Sequence, residues 1–229
     1  MLRPFFSFYG SKWRLAPKYP APRYATIIEP FAGSAGYSLR YPEREVILID
    51  RDPIVTGLWQ WLIKASPDDI LSLPVLKRGE SLDDYDIPLE ARWLMGFWIN
   101  QTGATPNTKV TDFGSRSQRH ERVARQLSAI RHWQVHTGDY SEAPETEATW
   151  FIDPPYEVEG RKYRYGPNLI DFGYLGEWCH TRKGQVIACE NEGARWLPFE
   201  QFATHRGATY TSGTVYSTEV VWLSDREAA

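Results

Sequence analysis

Apolar and polar residues alternate along this chain in two rhythms. Short apolar runs bounded by turn residues read as strands at 25–29, 45–50, 133–137, 149–152 and 185–189, and 218–223 is the clearest strand of a β-rich end. The run Thr149-Trp150-Phe151-Ile152 carries no polar alternation beyond its first residue, as expected of a strand of a parallel sheet covered on both faces. Helical spacing appears at 53–64, at 89–100 and at 117–131, where Val123, Leu127 and Ile130 form a stripe. A short helix is expected to start at 37–41.

Strand and helix alternate through residue 64, and the alternation resumes at 133. Between them it breaks: Pro67, Pro74 and Pro88 space the chain, and a loop rich in Gly, Thr, Pro and Asn fills 101–115. The pattern predicts one doubly wound α/β domain formed by 1–64 and 134–229, with 65–133 inserted as a subdomain. A chain of 229 residues is long enough for one such domain and a substantial core.

The strand at 25–29 runs into Pro30-Phe31-Ala32-Gly33-Ser34-Ala35-Gly36, a turn of small residues, and the next strand ends at Asp50, about twenty residues on. Glycines there let the backbone approach a ligand, and a carboxylate after the second strand accepts from ribose hydroxyls. The turn is not GxGxxG, so a ribose-bearing cofactor without a pyrophosphate fits best. The strand at 149–152 ends in Asp153-Pro154-Pro155-Tyr156. Ligands of open α/β sheets sit beyond the carboxyl ends of strands. Paired prolines remove amide donors and leave the Pro154 carbonyl to accept. An acid, a carbonyl and an aromatic ring suit a flat molecule carrying an amino group.

Composition narrows the partners. A net charge of −3 and a pI near 6.0 do not mark a nucleic-acid binder, but the distribution does more than the sum. Residues 1–24 hold Arg3, Lys12, Arg14, Lys18 and Arg23 with no acid, and 106–135 hold Lys109, Arg116, Arg119, Arg122, Arg125 and Arg131 against Asp112 and Glu121. Acid gathers elsewhere, so a basic face on an acidic body is expected; a solvated helix face is the plainer reading of the second cluster. Cys179 and Cys189 and the five histidines fall in no metal-ligand spacing, which predicts no metal site and a reducing, cytoplasmic setting. No apolar run approaches the roughly 20 residues of a membrane span, and the first residues lack a signal peptide's apolar region.

Taken in order, these segments resemble the Dam-type adenine-specific DNA methyltransferases. The segment Phe5-Phe6-Ser7-Phe8-Tyr9-Gly10-Ser11-Lys12 is similar to the family's N-terminal motif, which closes over the methionine part of S-adenosylmethionine (SAM). Residues 29–36 resemble its glycine loop, Asp50 its ribose-binding acid, Gly138-Asp139-Tyr140 the motif that meets the cofactor's adenine, and 153–156 its catalytic motif. The resemblance implies a Rossmann-like, mostly parallel seven-stranded sheet with a helical target-recognition insertion. It implies SAM as cofactor, held by Tyr9, Lys12, Pro30, Phe31, Ala32, Gly33, Asp50, Asp139, Tyr140 and Asp153. It also implies catalysis by Asp153, Pro154 and Tyr156 on an adenine flipped from duplex DNA. Lys12 would face the cofactor carboxylate, although a surface lysine is the blander reading, and Asp139 also reads as a turn-former.

For DNA contacts, Arg116, Arg119, Arg122 and Arg125 on the basic helix are expected to hold mostly phosphates, and Arg161 and Lys162 belong to a loop over the flipped base. The family's recognition hairpin has no evident counterpart at 100–107, so no target sequence carries over. Left open are an RNA methyltransferase acting on a guanine amino group, a SAM-binding regulator without catalysis, a homodimer, and a restriction enzyme as partner.

Overall fold

A computed structural model of the chain describes residues 1–100, 103–111, 117–158, 162–206 and 216–224. Seven strands form one sheet: β1 (Thr26–Glu29), β2 (Glu45–Asp50), β3 (Gln134–Thr137), β4 (Ala148–Ile152), β5 (Gly184–Asn191), β6 (Glu200–Arg206) and β7 (Tyr216–Leu223). Their spatial order is β3-β2-β1-β4-β5-β7-β6. From β3 to β5 every pairing is parallel; β7 runs antiparallel to both β5 and β6. The protein is therefore a mixed α/β fold on a mostly parallel sheet, in agreement with the strand pattern of the sequence.

The chain winds away from β1 in one direction and returns to the other side at β4, where Ile27 pairs with Thr149 and Ile28 with Trp150. That reversal opens a crevice beyond the carboxyl ends of β1 and β4, where such sheets hold ligands. β4 is buried at every position because both faces are covered. Trp150 and Ile152 share a cluster with Leu175, Trp178 and Cys179 of α5 (Phe172–Thr181), while Phe151 faces the other cluster and stacks on Tyr37 at 4.5 Å.

α1 (Pro53–Lys64) has the expected bounds because its start is over-determined. Pro53 supplies a preset φ, and Asp52 caps the first turn by accepting from Ile54 N at 2.9 Å. α5 had no such legible pattern. Its interior holds Gly173 and Gly176, and a Cβ at Gly176 would lie 2.4 Å from the Trp196 carbonyl oxygen. There close packing, not propensity, fixes the sequence.

The 65–133 segment contains α2 (Pro67–Leu71), α3 (Leu89–Ile99) and α4 (Ser117–Gln126), with α3 packed on α1 and α4 on α2. Two expected helices are shorter or tighter than read: 37–41 forms a 3₁₀ turn, and 117–131 passes into 3₁₀ geometry over Leu127–Ile130. Leu94, Phe97, Trp98, Val123 and Leu127 lie in the same apolar cluster as Phe5 and Trp59, so this segment and the sheet share one core. No helix among the described residues is long and apolar enough to cross a membrane.

Candidate functional site: a cleft at the sheet's carboxyl edge

One cavity occupies the crevice, and all the residues expected to touch a cofactor line it: Tyr9, Lys12, Pro30, Phe31, Ala32, Gly33, Asp50, Asp139, Tyr140 and Asp153. They come from five separate stretches of chain.

The floor is the small-residue turn after β1. Gly33 and Ala35 adopt left-handed backbone, at φ 45° and 52°, which a longer side chain would resist. Asp50 fastens this turn to the end of β2: its Oδ2 accepts from Gly33 N and its Oδ1 from Asp52 N, each at 2.9 Å. Burial pushes the Asp50 carboxyl up to about 6, against the pull of those amide bonds. Beneath the turn, Glu29 is buried and accepts from Ser38 N at 2.7 Å; burial pushes it up to about 8.

The N-terminal motif lies directly on this turn. A Cβ at Gly36 would stand 2.7 Å from Trp13 N and 3.0 Å from Lys12 N, so only glycine permits the approach. That contact aims Lys12 into the cleft. Its Nζ lies 2.8 Å from Asp153 Oδ1, 3.2 Å from Gly10 O and 3.6 Å from Glu219 Oε1, and it sits 4.6 Å above the Tyr156 ring. At 6% exposure Lys12 is not a surface lysine. Its ammonium is held by Asp153, where the resemblance had pointed it toward a cofactor carboxylate. Burial disfavours the charged lysine, but Asp153 and Glu219 outweigh that and raise its pKa. Asp153 is itself pushed up to about 6: burial and Glu219 raise it while Lys12 lowers it.

Of the two prolines, Pro154 is buried, and Pro155 lines the cavity. The Tyr156 hydroxyl donates to Glu219 Oε1 at 2.7 Å, and Tyr19 donates to the same oxygen at 2.7 Å.

Across the cleft, Asp139 follows β3 and caps a short turn. Its Oδ1 accepts from Ser141 N at 3.0 Å and from Ser141 Oγ at 2.6 Å, and Arg51 Nε lies 2.7 Å from its Oδ2. It is thus a turn-former that also lines the cavity. Tyr140 stacks on Phe31 with ring centroids 5.3 Å apart, giving that end an aromatic wall.

The segment after Tyr156 forms the roof. Tyr163 donates to Tyr9 O at 3.1 Å, Lys162 Nζ lies 4.9 Å over the Tyr9 ring, and Arg164 comes within 3.8 Å of Asp52. Tyr163, Arg164 and Tyr165 line the cavity, so this segment covers the cleft. Arg161 lies outside the described residues.

The basic helix has a different fate. Arg119 donates to Trp98 O at 2.6 Å and stacks over the Trp98 ring, while Arg122 donates to Pro4 O at 2.7 Å. Burial lowers the Arg122 pKa, with Arg119 and Arg3 adding repulsion. Both read from sequence as DNA contacts; in the fold their head groups tie α4 to α3 and to the N-terminal segment. Arg125 is exposed and pairs with Glu121 at 3.2 Å, one turn earlier. Arg116 lies outside the described residues.

Sequence reasoning missed Glu219, Tyr19, Arg51 and Tyr163. Glu219 alone left a signal: in the strand 218–223 it shares the alternate face with Val221 and Leu223, an acid on an apolar face. The others carry none, since their partners are hundreds or tens of residues away.

The sequence matches no family model and no curated protein. Among solved structures, the chain is similar to a conserved hypothetical protein from Streptococcus pyogenes at 11% identity and a TM-score of 0.38, covering 92% of this chain and 91% of that one.

Proposed function

We propose that the cleft binds SAM and that the protein methylates the exocyclic amino group of an adenine flipped out of duplex DNA. The observation that carries this reading is the meeting of Asp153, held by Lys12, with the glycine turn and Asp50 in one cavity. The acceptors on its walls suit a ligand rich in hydroxyl and amino groups. Asp50 keeps lone pairs beyond its two amide bonds for ribose hydroxyls. Phe31 and Tyr140 offer flat apolar surface to a base, and the turn at Gly33 lets the ligand approach the backbone. The mostly parallel seven-stranded order accords with a Rossmann-like α/β sheet.

When bound, SAM supplies a methyl on a cationic sulfur that leaves as a neutral thioether. The adenine amino group is a poor nucleophile because its lone pair is delocalised into the ring. In this reading it donates one hydrogen to Asp153 and the other to the Pro154 carbonyl, which draws the nitrogen toward tetrahedral geometry. The N–C bond forms as the S–C bond breaks, and the amino proton, acidic only after transfer, passes to Asp153. Positioning and fixed charge do the catalytic work. Flipping the base costs a few kcal/mol, which stacking on Tyr156, at roughly 1–3 kcal/mol per base, offsets.

Transfer of tritiated methyl from SAM to duplex DNA and to ribosomal RNA, measured side by side, tests the reading. Label is expected in DNA; label confined to RNA overturns it.

A further inference from the structure

Glu219 is the most unexpected group beside the cleft. It lies on β7, the strand that opposes the rest of the sheet, and pairs in register with Asn191 of β5 and Ala203 of β6. It is 2% exposed, yet three donors converge on its Oε1: the hydroxyls of Tyr19 and Tyr156 and, at 3.6 Å, the Lys12 ammonium. A buried carboxylate is costly unless paired and hydrogen-bonded. Three donors on one oxygen meet that requirement. Lys12 is thereby divided between two anions, with Asp153 at 2.8 Å as the nearer.

Resting on the methyl-transfer reading, we infer that Glu219 is a positioning residue for that reaction: it competes with Asp153 for Lys12, keeping Asp153 basic enough to take the amino proton, and it pins the Tyr156 ring against which the target base stacks. With Lys12 paired to Asp153 alone, the acid would be a weaker proton acceptor. With the Tyr156 hydroxyl unheld, the ring could turn about its Cα–Cβ bond. One carboxylate thus governs both the acceptor and the platform, without touching the substrate.

The direction of the charge effect agrees, since burial and Glu219 raise Asp153 while Lys12 lowers it. Other titratable groups face the same acid: Tyr163 from the roof, Glu29 from β1, and Cys189 and Glu190 from β5. All of them remain in a Glu219→Gln variant, so a difference between that variant and wild type isolates the charge of Glu219. Glutamine keeps an oxygen for the two tyrosine hydroxyls while losing the charge toward Lys12.

The experiment pairs two readouts on wild type and Glu219→Gln. One is a ¹³C carboxyl titration of Asp153, its resonance assigned by its loss in Asp153→Asn; the other is the pH profile of kcat for methyl transfer to DNA. In the variant the Asp153 midpoint and the acid limb of the profile should both move down by roughly one pH unit. The kcat should fall on the order of tenfold or more, while KM for SAM stays within a few-fold. A fall in kcat with an unmoved midpoint reduces Glu219 to a structural role and overturns the inference, as does an unchanged kcat. Wild type that transfers no methyl while the midpoint still shifts overturns the methyltransferase reading and leaves the control of Asp153 by Glu219 standing. If the Glu219→Gln variant does not fold, Lys12→Arg decides: it keeps a cation between the two carboxylates, so the Asp153 midpoint should stay within a fraction of a pH unit of wild type, and a large shift contradicts the inference.

Discussion

At the cleft, Lys12, Asp153 and Glu219 come from near the start, the middle and near the end of the 229-residue chain, and both carboxylates lie within 3.6 Å of one ammonium. On α4, Arg119, Arg122 and Arg125 share a single short helix, and their head groups end in three different places: at the Trp98 carbonyl, at the Pro4 carbonyl and beside Glu121. Proximity in sequence, then, says little about where a charge is used. What concentrates charge in the cleft is backbone. The Gly36 contact lays the N-terminal motif on the glycine turn, and the end of β4 puts Asp153 opposite it. On α4 the arginine head groups go to whichever neighbouring carbonyl, ring or carboxylate their long side chains reach. Two of them are drawn inward over apolar surface, as arginine stems allow.

The contrast makes its strongest statement at Lys12. Replacing it with methionine leaves Asp153 and Glu219 facing each other without their counter-ion, and breaking a buried pair in this way costs about 3–5 kcal/mol. Without the lysine that lowers it, the Asp153 carboxyl would then titrate higher still in the folded protein than in the unfolded chain. The folded state holds the extra protons, so stability falls as pH rises through that window. Urea unfolding of Lys12→Met should therefore show a larger deficit in alkaline than in mildly acidic buffer. A pH-independent deficit would mean the lysine serves only as packing.

Next comes Asp50→Ala. Loss of charge-assisted bonds to a ribose should weaken SAM binding by about 1.5–3 kcal/mol in calorimetry. The variant also loosens the Gly33 turn, so unchanged affinity would remove both the acid and the turn from the cofactor site.

The arginines should then separate from one another. Arg122→Ala should cost stability comparable to a hydrogen bond from a charged group, about 1.5–3 kcal/mol. Arg125→Ala, on an exposed pair within one helix, should change stability by no more than about 0.5 kcal/mol. If α4 does lie on DNA, Arg125→Ala is the substitution that weakens binding to every sequence and flattens the salt dependence by about one ion. Equal stability losses at the two positions would erase the distinction drawn here.

A purely pH-dependent effect concerns Glu29, whose carboxyl burial pushes up to about 8. Its folded pKa lies above its unfolded value, so it contributes a stability that declines as pH rises between the two. Glu29→Gln keeps an oxygen for Ser38 N and should flatten the fall of Tm with pH over that range. Parallel Tm curves for wild type and variant would place the proton elsewhere.

Much of the sheet was legible because its strands are short, apolar and bounded by Gly, Pro or acid, as at Glu45–Asp50, whose bounds match the reading. The cleft's motifs were legible for a related reason: Gly33, Gly36, Pro154 and Pro155 are residues whose backbone limits restrict what they can be for. α5 escaped because Gly173 and Gly176 obscure its period, and the reason for Gly176, contact with Trp196, is tertiary. Glu219 and Tyr19 lie 200 residues apart, so nothing local ties them together. Asp139 was readable both as a turn-former and as a cavity residue, and it occupies both positions.

Sequencing of native DNA by a long-read method that detects modified bases, from a methylation-free host expressing either wild type or Asp153→Ala, tests the central claim most directly. The account predicts modified adenines at one recurrent sequence with wild type and none with Asp153→Ala, while the purified variant still binds SAM within a few-fold of wild type. Absence of modified adenine with wild type, or its persistence in the variant, would contradict it.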